Sequence, residues 1–154
     1  ARAVHARHPM TPVLGADTVV VCGPQILEKP RSLDEARRML RLLSGRAHRV
    51  LTGVCLLPPF PAPPQCWAAE TAVRFHCLPE ATIERYLAAV HVLDKAGAYA
   101  IQEHGDLLIE RIDGSYSNVV GLPVEDVVER LKKAFPTAAA HTGSTPAGRD
   151  HARR

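Results

Sequence analysis

VLGADTVVVCG, residues 13–23, decides the fold. Val13, Thr18, Val19, Val20 and Val21 make a nearly continuous β-branched run, the composition of a buried strand and not of a helix. A single carboxylate, Asp17, interrupts it. In such a strand Asp17 is expected to be partly desolvated, and ionising it there is costly unless a cation or a hydrogen-bond donor compensates. A bound metal would do so. The alternative is that Asp17 ends the strand and caps a turn, with the Thr18 hydroxyl beside it.

Downstream of that strand, Ser32 and Glu35 have capping-box spacing. Leu33, Ala36, Met39, Leu40 and Leu43 then line one face of a helix that stops at Gly45. HRVLTGVCLL (48–57) is a second strand. Five prolines between Pro58 and Pro64 force an extended connector, a loop or hairpin tip. Thr71, Val73, Phe75 and Cys77 alternate with polar or small residues, as in a strand with one buried face. A helix with Ile83, Tyr86, Leu87 and Val90 on its stripe follows. DKAGAYAIQEHG (94–105) mixes small residues, charges and an amide without period, so it reads as a site segment.

Residues 106–112 read as a short strand and GSYSNVVGLP (114–123) as a glycine-bounded turn. Pro123 can open a last helix bearing Val124, Val127, Val128 and Leu131. Strands interleaved with helices give an α/β domain, and the short link before residues 71–78 favours a mixed sheet. The domain is expected over residues 1–135, with a disordered tail over 136–154, which is poor in apolar side chains.

Charge and composition exclude several classes of function. The formal net charge of +3 sits at the two ends; residues 8–135 carry 14 basic against 15 acidic side chains. A nucleic-acid surface needs a clustered basic excess on the folded body, so none is expected. No stretch approaches the length of a membrane span and the N-terminal residues lack the apolar core of a secretory signal, so a soluble, cytoplasmic protein is expected. Cys22, Cys55, Cys66 and Cys77 form no C-x-x-C pair. Three of them lie in apolar runs and are expected to be buried thiols.

Beyond Asp17 and Thr18, four side chains can carry chemistry. Pro30 holds Lys29 extended, which fixes where its ammonium can reach, and an ammonium near a triphosphate is a recurrent electrostatic device. A solvated turn lysine is the plain alternative. Asp94 and Lys95 are possible site residues or an exposed ion pair. Gln102 offers both a donor and an acceptor, which suits the edge of a pyrimidine, or else is a polar residue on a half-exposed element. In GSYSNVVGLP a turn that positions the last helix is preferred to anion binding. The histidines, His48 among them, read as structural or surface residues.

In this order GADTVVV (15–21), ILEKP (26–30), MLRLLSGRAHRVLTGV (39–54), ETAVRF (70–75), LDKAGAYAIQ (93–102) and GSYSNVVGLP (114–123) resemble the Maf family of nucleoside triphosphate pyrophosphatases. The resemblance runs from about Val13 to Leu131. It implies a Maf/ITPase-like α/β architecture, two lobes with a cleft around a twisted mixed sheet, in a homodimer. It also implies hydrolysis of a nucleoside triphosphate to the monophosphate and pyrophosphate with a divalent metal, Mg2+ or Mn2+, and a link to nucleotide house-cleaning and septum formation. By the same resemblance Asp17 is the catalytic carboxylate close to the metal and Lys29 contacts phosphate. Thr18 and Gln102 fall where subgroups differ, and the ADT and YAIQ forms look like the dTTP/UTP branch. The family's opening strand and S-x-S-P-R-R loop, and the glutamate and lysine after it, have no counterpart. The chain is therefore expected to be N-terminally incomplete. The rival expectation is a non-catalytic nucleotide-binding module that regulates cell division.

Overall fold

A computed structural model describes residues 1–136. Arg2–His5 form a helical turn, α1. A five-stranded sheet follows with the spatial order β2-β1-β3-β4-β5. Its strands are β1 (Val13–Cys22), β2 (Gln25–Leu27), β3 (Ala47–Leu57), β4 (Gln65–Phe75) and β5 (Ile109–Asp113). The helices are α2 (Leu33–Leu43), α3 (Glu80–Ala89), α4 (Tyr116–Val120) and α5 (Val124–Ala134). The tail expected over 136–154 lies, apart from Pro136, outside the described residues.

The α/β class is as expected, but every adjacent strand pair is antiparallel, which corrects the mixed sheet. The β1–β2 hairpin at Gly23 reverses the chain before α2. The crossover through α2 therefore joins β2 and β3, which share a direction but have β1 between them. The proline-rich connector is the tip of the β3–β4 hairpin, and β4 extends back to Gln65, earlier than the alternating stretch indicated. Across that hairpin Cys55 and Cys66 stand opposite each other and form a disulfide. Only Cys22 is a buried thiol, and Cys77 is exposed, so the expectation of three buried thiols fails. Residues 106 and 107 belong to a 3-10 turn, Gly105–Leu107, with β5 starting at Ile109.

Helix α2 begins as its sequence predicts: the Ser32 side chain accepts from Glu35 N at 3.2 Å. Glu35 accepts from Arg31 N at 2.7 Å, one residue beyond the N-cap N–H that the reciprocal capping-box bond would take. Its apolar face, Ala36, Met39, Leu40 and Leu43, is buried against the sheet and α3. Arg37 to Glu84 and Arg41 to Glu80 tie the exposed flanks of α2 and α3 together. Arg41, Glu80 and Glu84 are exposed and Arg37 is half-buried, and each acid is held below the usual carboxylate range first by its hydrogen bond to arginine.

Strand β1 has one buried side, not two. Val20 and Cys22 enter the core, while Asp17 is exposed and Val19 and Val21 are half-buried. The expected desolvation of Asp17 is thus overturned: period-2 geometry sends Asp17, Val19 and Val21 to the face opposite Thr18 and Val20. On the covered face, α2, α3 and the 94–108 segment pack over one part of the sheet, and α4 with α5 over another. GSYSNVVGLP holds one short helix, α4, where a plain turn was expected. Among the described residues no helix is long and apolar enough to cross a membrane.

Candidate active site

The space between those two helical groups is a cleft of about 300 Å³ floored by β1 and β3. Asp17, Thr18, Lys29, Asp94, Lys95 and Gln102 all line it. Six residues spread over 86 positions of sequence, each singled out for its chemistry, are therefore brought to one place. Ile101, Tyr99 and Val119 to Gly121 complete the walls.

Each wall has a local cause. Strand β1 presents Asp17 and Thr18 on successive positions, so one side chain reaches the rim and the other the floor. Asp17 Oδ1 accepts from the Thr18 backbone N–H at 3.0 Å, which orients the carboxylate. Asp17 also borders a second hollow of about 220 Å³ beside Lys29 and Glu28. Glu28 was not singled out by the sequence: it is an ordinary exposed acid in its own segment, and only the β1–β2 hairpin brings it near Asp17. Lys29 is exposed just beyond β2, and Pro30 behind it is buried.

The Thr18 hydroxyl is engaged within the protein. It lies 2.9 Å from the Thr52 hydroxyl and donates to Gly121 O at 3.2 Å. With its hydrogen on Gly121, Thr18 takes the hydrogen of Thr52 and keeps one lone pair for a ligand. Gly121 is held in turn by Asn118, fully buried on α4, whose Nδ2 donates to Val50 O at 3.1 Å and to Thr71 Oγ1 at 3.0 Å. Ser115 and Ser117 both bond Glu125 of α5. The Ser117 bond is the first cause that keeps that carboxyl below its ordinary range.

On the opposite wall, Lys95 pairs with Asp94 at 3.1 Å and approaches Glu103 at 3.7 Å. Its hydrogen bond holds the Asp94 carboxyl below the usual range. Asp94 and Lys95 are thus an ion pair, and it stands on the cleft rim. Gln102 is exposed into the same space. His48 is buried, as a structural histidine should be, with Nε2 2.9 Å from Tyr99 Oη. Burial pushes its imidazole down to about 4, so the ring is neutral at neutral pH.

Among the described residues no group of three or more His, Cys, Asp or Glu side chains could hold a metal ion. Asp17 offers one carboxylate. That fits a hard cation carried mainly by phosphate oxygens and water, the usual mode for Mg2+ at nucleotide sites.

An α/β domain with a polar cleft of small-molecule size, walled by acid, ammonium and amide groups, is the class these observations define. The chain belongs to the Maf family: the model described as Maf-like protein matches residues 1–134. It is 44% identical over 135 residues to a dTTP/UTP pyrophosphatase of Pyrococcus abyssi, covering 88% of this chain and 71% of the relative. A dTTP/UTP pyrophosphatase of Geobacillus is 46% identical, over 86% of this chain and 70% of its own length. One from Moorella thermoacetica is 50% identical, over 85% and 68%.

Proposed function

We propose that this chain is a nucleoside triphosphate pyrophosphatase that hydrolyses dTTP and UTP to the monophosphate and pyrophosphate. The observation that carries the reading is the meeting of Asp17, Lys29 and Gln102 around one cleft. The names of the relatives at 44–50% identity support the same substrates.

In this reading Asp17 takes a proton from a water as that water attacks the α-phosphorus. The new P–O bond forms while the bond from the α-phosphorus to the bridging oxygen breaks, and the electron pair leaves on pyrophosphate. Lys29, on the same wall, stabilises the charge that develops there. Lys95, held by Asp94, faces the same polyanion from the other side. Mg2+ or Mn2+ bound with the triphosphate, with Asp17 as its protein ligand, would supply charge neutralisation. Gln102 provides the polar edge for the base, while the remaining Thr18 lone pair can accept from a sugar hydroxyl that the nucleotides share. Family resemblance is the support for a homodimer, a cytoplasmic location and a link to septum formation.

The test is pyrophosphate release from dTTP, UTP, CTP and GTP with Mg2+, coupled to inorganic pyrophosphatase, beside calorimetry. Release from dTTP and UTP above the other two is expected. Binding without release would favour the non-catalytic module.

A further inference from the structure

Lys95 and Gln102 are carried by a segment with almost no regular structure of its own. Between them lies a single 3-10 turn, Ala96–Ala98. Gly97 sits at φ +70°, and Ala98, which has a Cβ, at φ +62°. Two successive left-handed residues, one not glycine, persist only where the surroundings hold them.

The hold comes from side chains that belong to the core by position. Tyr86 lies on the apolar stripe of α3 and is fully buried. Phenylalanine would fill that stripe as well, so its hydroxyl requires a separate explanation. Ala100 N donates to Tyr86 Oη at 2.9 Å, and Tyr86 Oη donates to Ala100 O at 3.3 Å. Both polar groups of one residue, two positions before Gln102, are thus fixed by one hydroxyl. Burial raises the Tyr86 hydroxyl to about 12, so it keeps the proton it donates.

From the sheet side, His48 does the same through Tyr99. Tyr99 packs edge-on against Phe75 at 4.9 Å and His48 at 5.5 Å, and shares the 2.9 Å bond with His48. His48 is again a polar residue in an inward row otherwise made of Val50, Thr52, Val54 and Leu56. At the far end Gly97 N donates to Glu28 O at 3.1 Å, beside Lys29.

We infer that Tyr86, with His48 acting through Tyr99, is a positioning residue for substrate recognition: its hydroxyl sets the register in which Gln102 meets the pyrimidine. This rests on the pyrimidine nucleotide reading above. A recognition contact held out of register is weakened while the reacting groups keep their places, which is why a core hydroxyl far from the phosphates matters.

The test compares Tyr86→Phe, Tyr99→Phe and Leu87→Ala with the parent chain. Leu87 is buried one position along α3 and serves to separate loss of packing from loss of register. Amide hydrogen exchange, the Kd of dTMP and CMP by calorimetry, and kcat and KM for dTTP and CTP are measured. In Tyr86→Phe, protection of the Ala100 amide should fall about 10-fold or more. KM for dTTP should rise about 5- to 20-fold, with kcat changed less than about 3-fold, and the preference for thymine over cytosine should shrink. Tyr99→Phe should act in the same direction. Leu87→Ala should lower Tm yet keep the preference.

Unchanged protection at Ala100, or an unchanged dTMP-to-CMP ratio in Tyr86→Phe, overturns the inference. So does a Leu87→Ala variant that loses the preference equally. A parent that binds dTMP but does not hydrolyse dTTP overturns the catalytic reading instead. The exchange and binding results then still decide the role of Tyr86.

Discussion

The Thr18 hydroxyl donates to Gly121 O across the cleft floor at 3.2 Å, linking the strand that carries Asp17 to the end of α4. The same oxygen pairs with Thr52, so a polar group at the centre of the site is used first to join its two walls. Thr18→Val keeps the shape and removes both bonds, leaving Gly121 O and the Thr52 hydroxyl unpaired. Stability measured by urea unfolding should fall by about 1–2 kcal/mol. The order of preference among nucleotides should survive, because the hydroxyl hydrogen never points to the ligand. Unaltered stability with a changed order would assign Thr18 to base reading instead.

Asp17 is exposed, and among the described residues the one hydrogen bond of its side chain is accepted from the next residue's N–H. Asp17→Asn therefore leaves the fold intact while removing the proton acceptor and the negative charge. Turnover of dTTP should drop about 100- to 10,000-fold, with Tm nearly unchanged. Near-normal turnover would remove Asp17 from the chemistry.

His48 makes stability depend on pH in a window of its own. Burial lowers its folded value from 6.5 to about 4, so below 6.5 the unfolded chain takes up a proton that the folded chain refuses. The stability present above pH 6.5 is lost as pH falls towards 4. At about 1.4 kcal/mol per unit, the loss amounts to about 3 kcal/mol. Glu80, Glu84, Asp94, Glu125 and Glu129 are shifted down from ordinary values of 4.5 or 3.8. Their contributions are lost only as pH falls below those ordinary values. Urea unfolding between pH 7 and 5 thus reads His48 alone among these shifted groups, and His48→Gln, although less stable throughout, should flatten the dependence there.

Most of the fold was legible because it follows local periodicity. Ser32 and Glu35 announced α2, the prolines announced the hairpin tip, and the 71–75 alternation announced β4. Pairing was less legible, since neither the direction of β3 beside β1 nor the meeting of Cys55 with Cys66 is written in either segment alone. The valines around Asp17 suggested burial on both faces, whereas strand geometry leaves its face open. The six candidate residues that line the cleft could be singled out because each has chemistry that its own segment does not need. Tyr86 and His48 escaped: their rings satisfy the core pattern, and only the three-dimensional arrangement reveals that their polar atoms hold the wall bearing Gln102.

Gly97 meets the side chain of Val20 so closely that a Cβ added there would lie 3.0–3.1 Å from three of its atoms. Its φ of +70° adds a backbone cost of about 1–2 kcal/mol for any residue with a Cβ. Gly97→Ala should destabilise the protein by about 2–4 kcal/mol once the crowding is included. Trimming the partner to alanine removes two of the three close atoms, leaves its Cβ at 3.1 Å, and does not touch the backbone cost. The double variant Gly97→Ala/Val20→Ala should therefore lose about 1 kcal/mol less than the sum of the singles in urea unfolding. Strict additivity would show that backbone strain alone sets the cost.

Gln102 supplies the sharpest test of base choice. Uracil and thymine place two carbonyl acceptors around an imide N–H, while cytosine replaces one carbonyl with an amino donor. An amide fixed in register can donate to a carbonyl and accept from the imide. A carboxylate accepts from both patterns but cannot donate. Gln102 is exposed in the cleft, so exchanging its amide for a carboxylate breaks no core contact and should scarcely move Tm. An unpaired carbonyl in the complex costs about 1–3 kcal/mol, so kcat/KM for dTTP and UTP should fall about 5- to 150-fold in Gln102→Glu. CTP, whose amino group can donate to the new carboxylate, should lose much less or gain. Measuring kcat/KM for dTTP, UTP, CTP and GTP in parent and variant decides the matter. Unchanged rates with an unchanged order would take Gln102 out of recognition and leave the register imposed by Tyr86 without a substrate contact to serve.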